Sequence, residues 1–239
     1  LNVARSPQGR PVIVQAGASE EGRELAAKSA DVIFGASQSI EMAQEFYSDV
    51  KGRLSRYGRE PSDLKVLPGL SVTVALSEKE AQAKYDELQD LIHPEHGLAF
   101  LSRRIGHDLT SLDPDILMPD LPPIDDVGTR SGQMLELAKR ENWTLRQLYQ
   151  HFAAARGHMV LIGTPTIVAD TMEEWVDKEA CDGFNIIPSI FPDEFDSFVD
   201  LVVPELQRRG LYRKSYDGTT LRELLGLRIP ESQYGTPGV

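Results

Sequence analysis

Short β-branched runs alternate along this chain with longer segments in which apolar residues recur every three or four positions. Val12-Ile13-Val14-Gln15-Ala16 reads as a buried parallel strand and Gly17-Ala18-Ser19 as a tight turn. From Glu20 onward the pattern is that of a helix capped by Ser19, with two carboxylates in its first turn. Asp31-Val32-Ile33-Phe34 repeats the strand pattern and ends in the small residues Gly35-Ala36-Ser37. A helix is predicted from about Ile40 to Tyr57, because Met42, Ala43, Phe46, Val50 and Leu54 share one face and Gly58 and Pro61 stop it. Leu64 to Ala75 reads as a third strand, bulged or bent at Pro68-Gly69. Ser77-Glu78-Lys79-Glu80 then has the form of a capping box opening a helix through about Leu91.

From His93 to about Asn142 the periodicity breaks among Pro94, Pro114, Pro119, Pro122 and Pro123. A segment of that length without regular structure is uncommon inside a compact domain, so an excursion over one face, or a lid, is expected there. A helix resumes from Thr144 to about Ala155. Thr164 as cap and Pro165 at the first helical position start another, which runs to about Glu179 with Ile167, Val168, Met172, Trp175 and Val176 as its apolar stripe. Asp182-Gly183 turns the chain into a fourth strand, Phe184-Asn185-Ile186-Ile187-Pro188. Glu194 to Arg209 is predicted as the last substantial helix, and Tyr212 to Val239 as a loosely structured tail or arm.

Four strands alternating with helices imply an α/β parallel sheet with right-handed crossovers, either a small open doubly wound sheet or half of an eight-stranded barrel. The helix opening at Ser19 presents unpaired N–H groups and the positive end of its dipole, and the small residues before it leave room for an anion, most often a phosphate. The same residues also serve a plain cap, since Glu20 and Glu21 complement the dipole without any ligand.

Composition narrows the partners. Of 239 residues, 41% are hydrophobic and 26% charged, as in ordinary globular chains, and the net charge of −12 argues against non-specific binding to nucleic acid or anionic membranes. No apolar run approaches membrane-spanning length. The single cysteine, Cys181, excludes an internal disulfide, fits a reducing, cytoplasmic compartment and reads as a small core residue; no metal-ligand spacing surrounds it. His96 and His107 are two of the excursion's histidines, and His158, beside Met159-Val160-Leu161, reads as structural.

The run from Arg5 to Ala27, with Gly17-Ala18-Ser19-Glu20-Glu21-Gly22-Arg23 at its centre, resembles the bacterial-luciferase-like flavin-dependent monooxygenases. It is most similar to the branch containing nitrilotriacetate monooxygenase component A and the EDTA, dibenzothiophene-sulfone and long-chain alkane monooxygenases. Val160-Leu161-Ile162-Gly163-Thr164-Pro165, then Val168-Ala169-Asp170 and Asp182-Gly183-Phe184-Asn185, resembles the phrase before that family's last barrel strand. Pro204 to Gly210 and the Tyr212 to Leu224 segment are similar to the branch's C-terminal region.

The resemblance implies a TIM (β/α)8 barrel that takes FMN as FMNH2 from a separate NAD(P)H:flavin reductase. The reduced flavin reacts with dioxygen to a flavin peroxide that oxygenates a small organic substrate. Carried onto this sequence, Gly17, Ala18 and Ser19 hold the FMN phosphate, with Ala18 where many relatives have a second serine, and Ala36 and Gln38 line the same mouth near flavin or substrate. His107 is the one candidate catalytic residue, and no metal is implied. The resemblance further implies that residues 1–211 are a C-terminal half-barrel, about strands 5 to 8, with the excursion at about 93–142 inserted before the last strand and residues 212–239 as an arm. The first four strands would lie outside the chain, in a longer polypeptide or lost from a truncated product, so a homo-oligomer or the missing N-terminal half is expected to cover the exposed edges. Two alternatives stand: a non-catalytic truncated module, and a deazaflavin-dependent oxidoreductase of the same superfamily.

Overall fold

A computed structural model describes residues 4–122, 129–155 and 157–232; Pro123 and the last seven positions of the expected arm lie outside the described residues. Among the described residues, β1 (Val14–Ala16), β2 (Val32–Gly35), β3 (Lys65–Val74), β4 (Met159–Gly163) and β5 (Asn185–Ile186) form one parallel sheet. Helices α1 (Glu20–Ser29), α2 (Ile40–Arg53) and α3 (Glu78–Asp90) follow the first three strands. Three more, α4 (Pro94–Ile105), α5 (Thr129–Arg140) and α6 (Leu145–Ala155), occupy the stretch before β4, and α7 (Pro165–Asp177) joins β4 to β5. After β5 come α8 (Asp193–Ser197), α9 (Val203–Arg209) and α10 (Leu221–Leu224). A wider, π-type turn over Phe198–Val202 separates α8 from α9 within the helix predicted as continuous. It lies just before Pro204, which has no amide proton to give to the carbonyl four residues back.

Register explains the fifth strand, at Met159–Gly163, where the hydrophobic pattern predicted none. β2 pairs with the first part of β3 and stops at Gly35, opposite Pro68. β3 is ten residues long, so its second half would leave that edge unpaired, and β4 takes it over from Leu70 to Val74. β5 pairs with Gly69 and Leu70 from the opposite edge. The expected bend at Pro68-Gly69 is therefore where β3 changes partners. The outer edges of β1 and β5 have no partner strand among the described residues, and Ile13 and Val14 are 42% and 59% exposed.

The excursion differs most from expectation. Instead of irregular chain it carries a helical unit with its own core, in which Leu98, Leu101 and Ile105 of α4 meet Leu145, Leu148, Tyr149 and Phe152 of α6. Those α4 residues follow helical spacing, and Pro94 occupies the first turn, where a proline starts a helix rather than breaking one. Elsewhere α1, α2 and the turn that follows α2 bury Ala26, Ala27, Val50 and Leu54 against Ile33, Leu64 and Val66, while Val72 and Val74 pack under Val168 and Val202.

At the end of the sheet where the strands begin, the C-terminal segment is clamped by charge. Arg222, 1% exposed, donates from all three guanidinium nitrogens: to both oxygens of Asp31 at 3.1 and 2.6 Å, and to the carbonyls of Arg10, Pro11 and Arg228. Asp31 also accepts from Arg10 and from the Ile13 amide. Arg228 pairs with Asp63 ahead of β3, and Arg59 donates to the Ala26, Ala27 and Ala30 carbonyls at the C-terminal end of α1.

Candidate functional site

Ala16 lies opposite Phe34 and Gly35 opposite Pro68, so β1 and β2 end level with each other. The small-residue turns that follow them therefore share one mouth at the C-terminal end of the parallel strands. The structure thus brings Gly17, Ala18, Ser19, Ala36 and Gln38 to that end. In the first turn Gly17 has φ +148°, a backbone open to glycine, and Ser19 is the N-cap of α1, its Oγ accepting from the Gly22 amide at 3.1 Å. Accepting leaves the Ser19 hydroxyl proton free to donate outward. The first amides of α1 point the same way, having no carbonyl inside the helix to meet.

Two features let an anion approach. A Cβ on Gly22 would stand 3.3 Å from Ser19 Oγ and 3.4 Å from the Gly17 carbonyl carbon, so the missing side chain keeps the cradle open. The carboxylate nearest the turn in sequence, Glu20, is held by both terminal nitrogens of Arg53 at 2.6 and 2.9 Å. Hydrogen bonding from Arg53 holds its carboxyl below the ordinary range, and the guanidinium charge offsets its own. A phosphate fits this donor set.

Sequence patterning missed the braces behind the turn. Arg23 donates from Nε to the Ala18 carbonyl at 2.9 Å, pairs with Asp49 at 2.8 Å and stacks over Phe46. Arg53 binds Asp49 as well as Glu20 and Glu24, joining α2 to the start of α1. Only the spacing of Arg23 from the turn, about one helical turn past Ser19, could have signalled this.

At the second turn Gln38 is engaged: its amide nitrogen donates to the carbonyls of Gly157 and His158, tying the end of β2 to the start of β4. Ala36 is half-buried beside it. The His158 ring stacks on Phe34 with centroids 5.0 Å apart and lies over Gly69, where a Cβ would come within 2.5 Å of its Nδ1. His107 belongs to the helical excursion, where its Nε2 meets the Pro122 carbonyl at 2.9 Å. That contact ties the ring to the excursion's own backbone. Cys181 is buried, and burial pushes its thiol up to about 12.

Residues 2–180 match the luciferase-like monooxygenase family. The chain belongs to that family. It is 50% identical to nitrilotriacetate monooxygenase component A of Aminobacter aminovorans over 99% of this chain and 53% of that protein. The crystal structure of DmoA from Hyphomicrobium sulfonivorans superposes with a TM-score of 0.82 at 33% identity, covering 96% of this chain and 49% of that one. The crystal structure of riboflavin lyase (RcaE) with modified FMN and riboflavin gives 0.74 at 31% identity, covering 95% of this chain and 50% of that one. The chain thus spans about half the length of the relatives it matches. Among the described residues no helix is long and apolar enough to cross a membrane.

Proposed function

We propose that this chain forms about strands 5 to 8 of a luciferase-like TIM barrel, within an FMNH2-dependent two-component monooxygenase that oxygenates a small organic substrate with dioxygen. The observation that carries the reading is the turn at Gly17-Ala18-Ser19: at the carboxyl end of a parallel strand, it opens a helix whose amides ahead of Gly22 have no carbonyl inside the helix to meet and whose nearest acid is paired with Arg53. The riboflavin lyase neighbour, solved with modified FMN, supports a flavin as the phosphate's owner. The exposed edges of β1 and β5, with Ile13 and Val14 uncovered, suit a sheet that continues into companion strands, from the missing half-barrel or a second copy.

In this proposal Ser19 and the first α1 amides bind the FMN phosphate, while Arg23 fixes the Ala18 carbonyl so that those donors stay aimed. Ala36 lines the mouth beside flavin or substrate, and Gln38 holds the β4 start in place there. Reduced flavin, delivered by a separate NAD(P)H:flavin reductase, supplies the oxygen chemistry when bound; the protein positions it and excludes water. The excursion at about 93–142, bearing His107, covers the mouth of a half-barrel spanning about 1–211, and Arg222 and Arg228 of the 212–239 arm secure the opposite end.

A chimera tests this: nitrilotriacetate monooxygenase component A with the matching half replaced by this chain supplies the remaining strands. FMN binding is expected in the wild-type chimera. Ser19→Ala should weaken it by roughly 1 to 2 kcal/mol, about five- to thirtyfold in Kd. Ser19→Asp keeps a helix cap but adds an anion, so it should lose FMN while keeping stability. Equal FMN affinity in all three proteins would overturn the site.

A further inference from the structure

A second cavity, of about 420 Å³, lies between α3 and α6, where the sheet-side helix layer meets the helical excursion. Tyr85 and Trp143 contribute its aromatic wall, and Asp86 and Asp90 stand exposed at its rim. None of its lining residues belongs to the mouth formed by the β1 and β2 turns. Its depth carries an unmet demand: Gln89 is only 4% exposed, yet its Oε1 has no hydrogen-bond partner, and neither has the buried Nε2 of His151 on the facing helix. Native interiors rarely leave such atoms unsatisfied, because each costs free energy that a bound donor would recover.

The charges around the cavity select the donor. Arg146, the cation of the lining, is already held by both oxygens of Asp115 at 2.6 and 3.0 Å and contacts the Tyr149 hydroxyl. The rim carboxylates have no such counter-ion: Asp86 accepts only from the neutral Gln82 amide at 2.8 Å, and no salt bridge reaches Asp90 among the described residues. Burial lowers the His151 pKa, which keeps the imidazole neutral and leaves one ring nitrogen as an acceptor. The Trp143 ring, 4.7 Å from that of His151 centroid to centroid, lines the cavity, so a cation bound there lies within reach of its π system.

We propose that this cavity binds a small organic cation of the guanidinium or alkylammonium class, its N–H groups donating to Gln89 Oε1 and the rim carboxylates while its charge lies near Trp143. The cavity suits a molecule of roughly ten non-hydrogen atoms. The inference is independent of the flavin reading, so either can fail alone.

Agmatine is the probe, titrated into this chain by calorimetry and by tryptophan fluorescence, with N-butylurea as a neutral donor of similar reach. Saturable agmatine binding with a Kd on the order of 1 mM or tighter is expected, and N-butylurea should bind at least about tenfold more weakly. Asp90→Asn, at an exposed position, should leave the fold intact and weaken agmatine by about fivefold; Gln89→Leu should do the same. Trp143→Phe should remove the fluorescence change, because the other tryptophan, Trp175, is buried in a different core cluster. Agmatine showing no saturation up to about 10 mM would overturn the proposal. So would equal affinity for N-butylurea, or affinity unchanged in folded Asp90→Asn and Gln89→Leu proteins, which would place binding elsewhere.

Discussion

Arg222→Met is the sharpest test of how the sheet is held. The guanidinium is 1% exposed and satisfies Asp31, itself 4% exposed, together with three backbone carbonyls from separate segments. Methionine roughly preserves the volume, so the loss is electrostatic: a buried carboxylate without two of its five hydrogen bonds and three carbonyls without the guanidinium they share. Breaking one side of a buried pair costs about 3 to 5 kcal/mol. The Ile13 amide and Arg10 still contact Asp31, which favours the lower half of that range. For a chain of this size, a urea m-value of about 3 kcal/mol/M turns this into a midpoint shift of roughly 1 to 1.5 M.

Arg10→Met is the internal control. Arg10 binds the same carboxylate, but its side chain is 42% exposed, so screening and competing water should hold its loss below about 1 kcal/mol. Urea unfolding followed by far-UV circular dichroism reads both variants. If Arg222→Met moves the midpoint no further than Arg10→Met, burial does not set the strength of this clamp and the reasoning is wrong. Adding Asp31→Asn to Arg222→Met should recover part of the loss, since it removes the stranded charge.

Acid should act through the same carboxylate. Burial alone would raise the Asp31 pKa, but hydrogen bonds from Arg222, the Ile13 amide and Arg10 outweigh it and leave it lowered. A lowered carboxyl stabilises the fold above its unfolded pKa of about 4 and loses that contribution as pH falls through it, so urea midpoints should drop between about pH 5 and pH 2.5, less steeply in Asp31→Asn. Gly69→Ala would push a Cβ to 2.5 Å from the buried His158 ring and 2.8 Å from Ile187, and a cost of about 1 to 3 kcal/mol is expected by urea unfolding; a neutral result would mean the ring moves freely. Cys181, its thiol raised to about 12 by burial, should react with Ellman's reagent at pH 8 only after unfolding, and rapid labelling of the native chain would contradict the packing around Trp175 and Ala180.

What could be read from the residues follows from the range over which each determinant acts. Ser19, Glu20 and Gly22 decide a cap within four positions, and the structure shows Ser19 capping α1 as its neighbours dictate. Local patterning also found β2 and the bend at Pro68-Gly69, because β-branched runs and a proline leave short-range marks. It could not find β4. Met159–Gly163 is a short apolar run that periodicity alone cannot assign to a strand or a helix; the demand comes from β3, which outlasts β2 and leaves an edge for a segment some ninety residues later to fill. The prolines between His93 and Asn142 hid α4 for a related reason: Pro94 counts as a breaker in a window average but as a starter in the first turn, and only the position of Leu98, Leu101 and Ile105 against α6 tells the two apart.

The braces of the candidate site fall in the same class. Arg53 reaches Glu20 across 33 positions and Arg222 reaches Asp31 across 191, contacts that no periodicity encodes. Their placement has a mechanical consequence. Arg222 grips the residues that begin β1 and β2, and Arg53 and Arg23 grip the helix and turn beyond the other end of β1. A strand of three residues with one open edge has little packing of its own to fix its position. The turn at Gly17-Ala18-Ser19 is therefore held by charged side chains at both ends of β1, which makes the clamp at Arg222 a support of the candidate site as well as of the fold. Stability and FMN affinity of the chimera should then fall together in Arg222→Met, whereas Ser19→Asp should lower affinity alone.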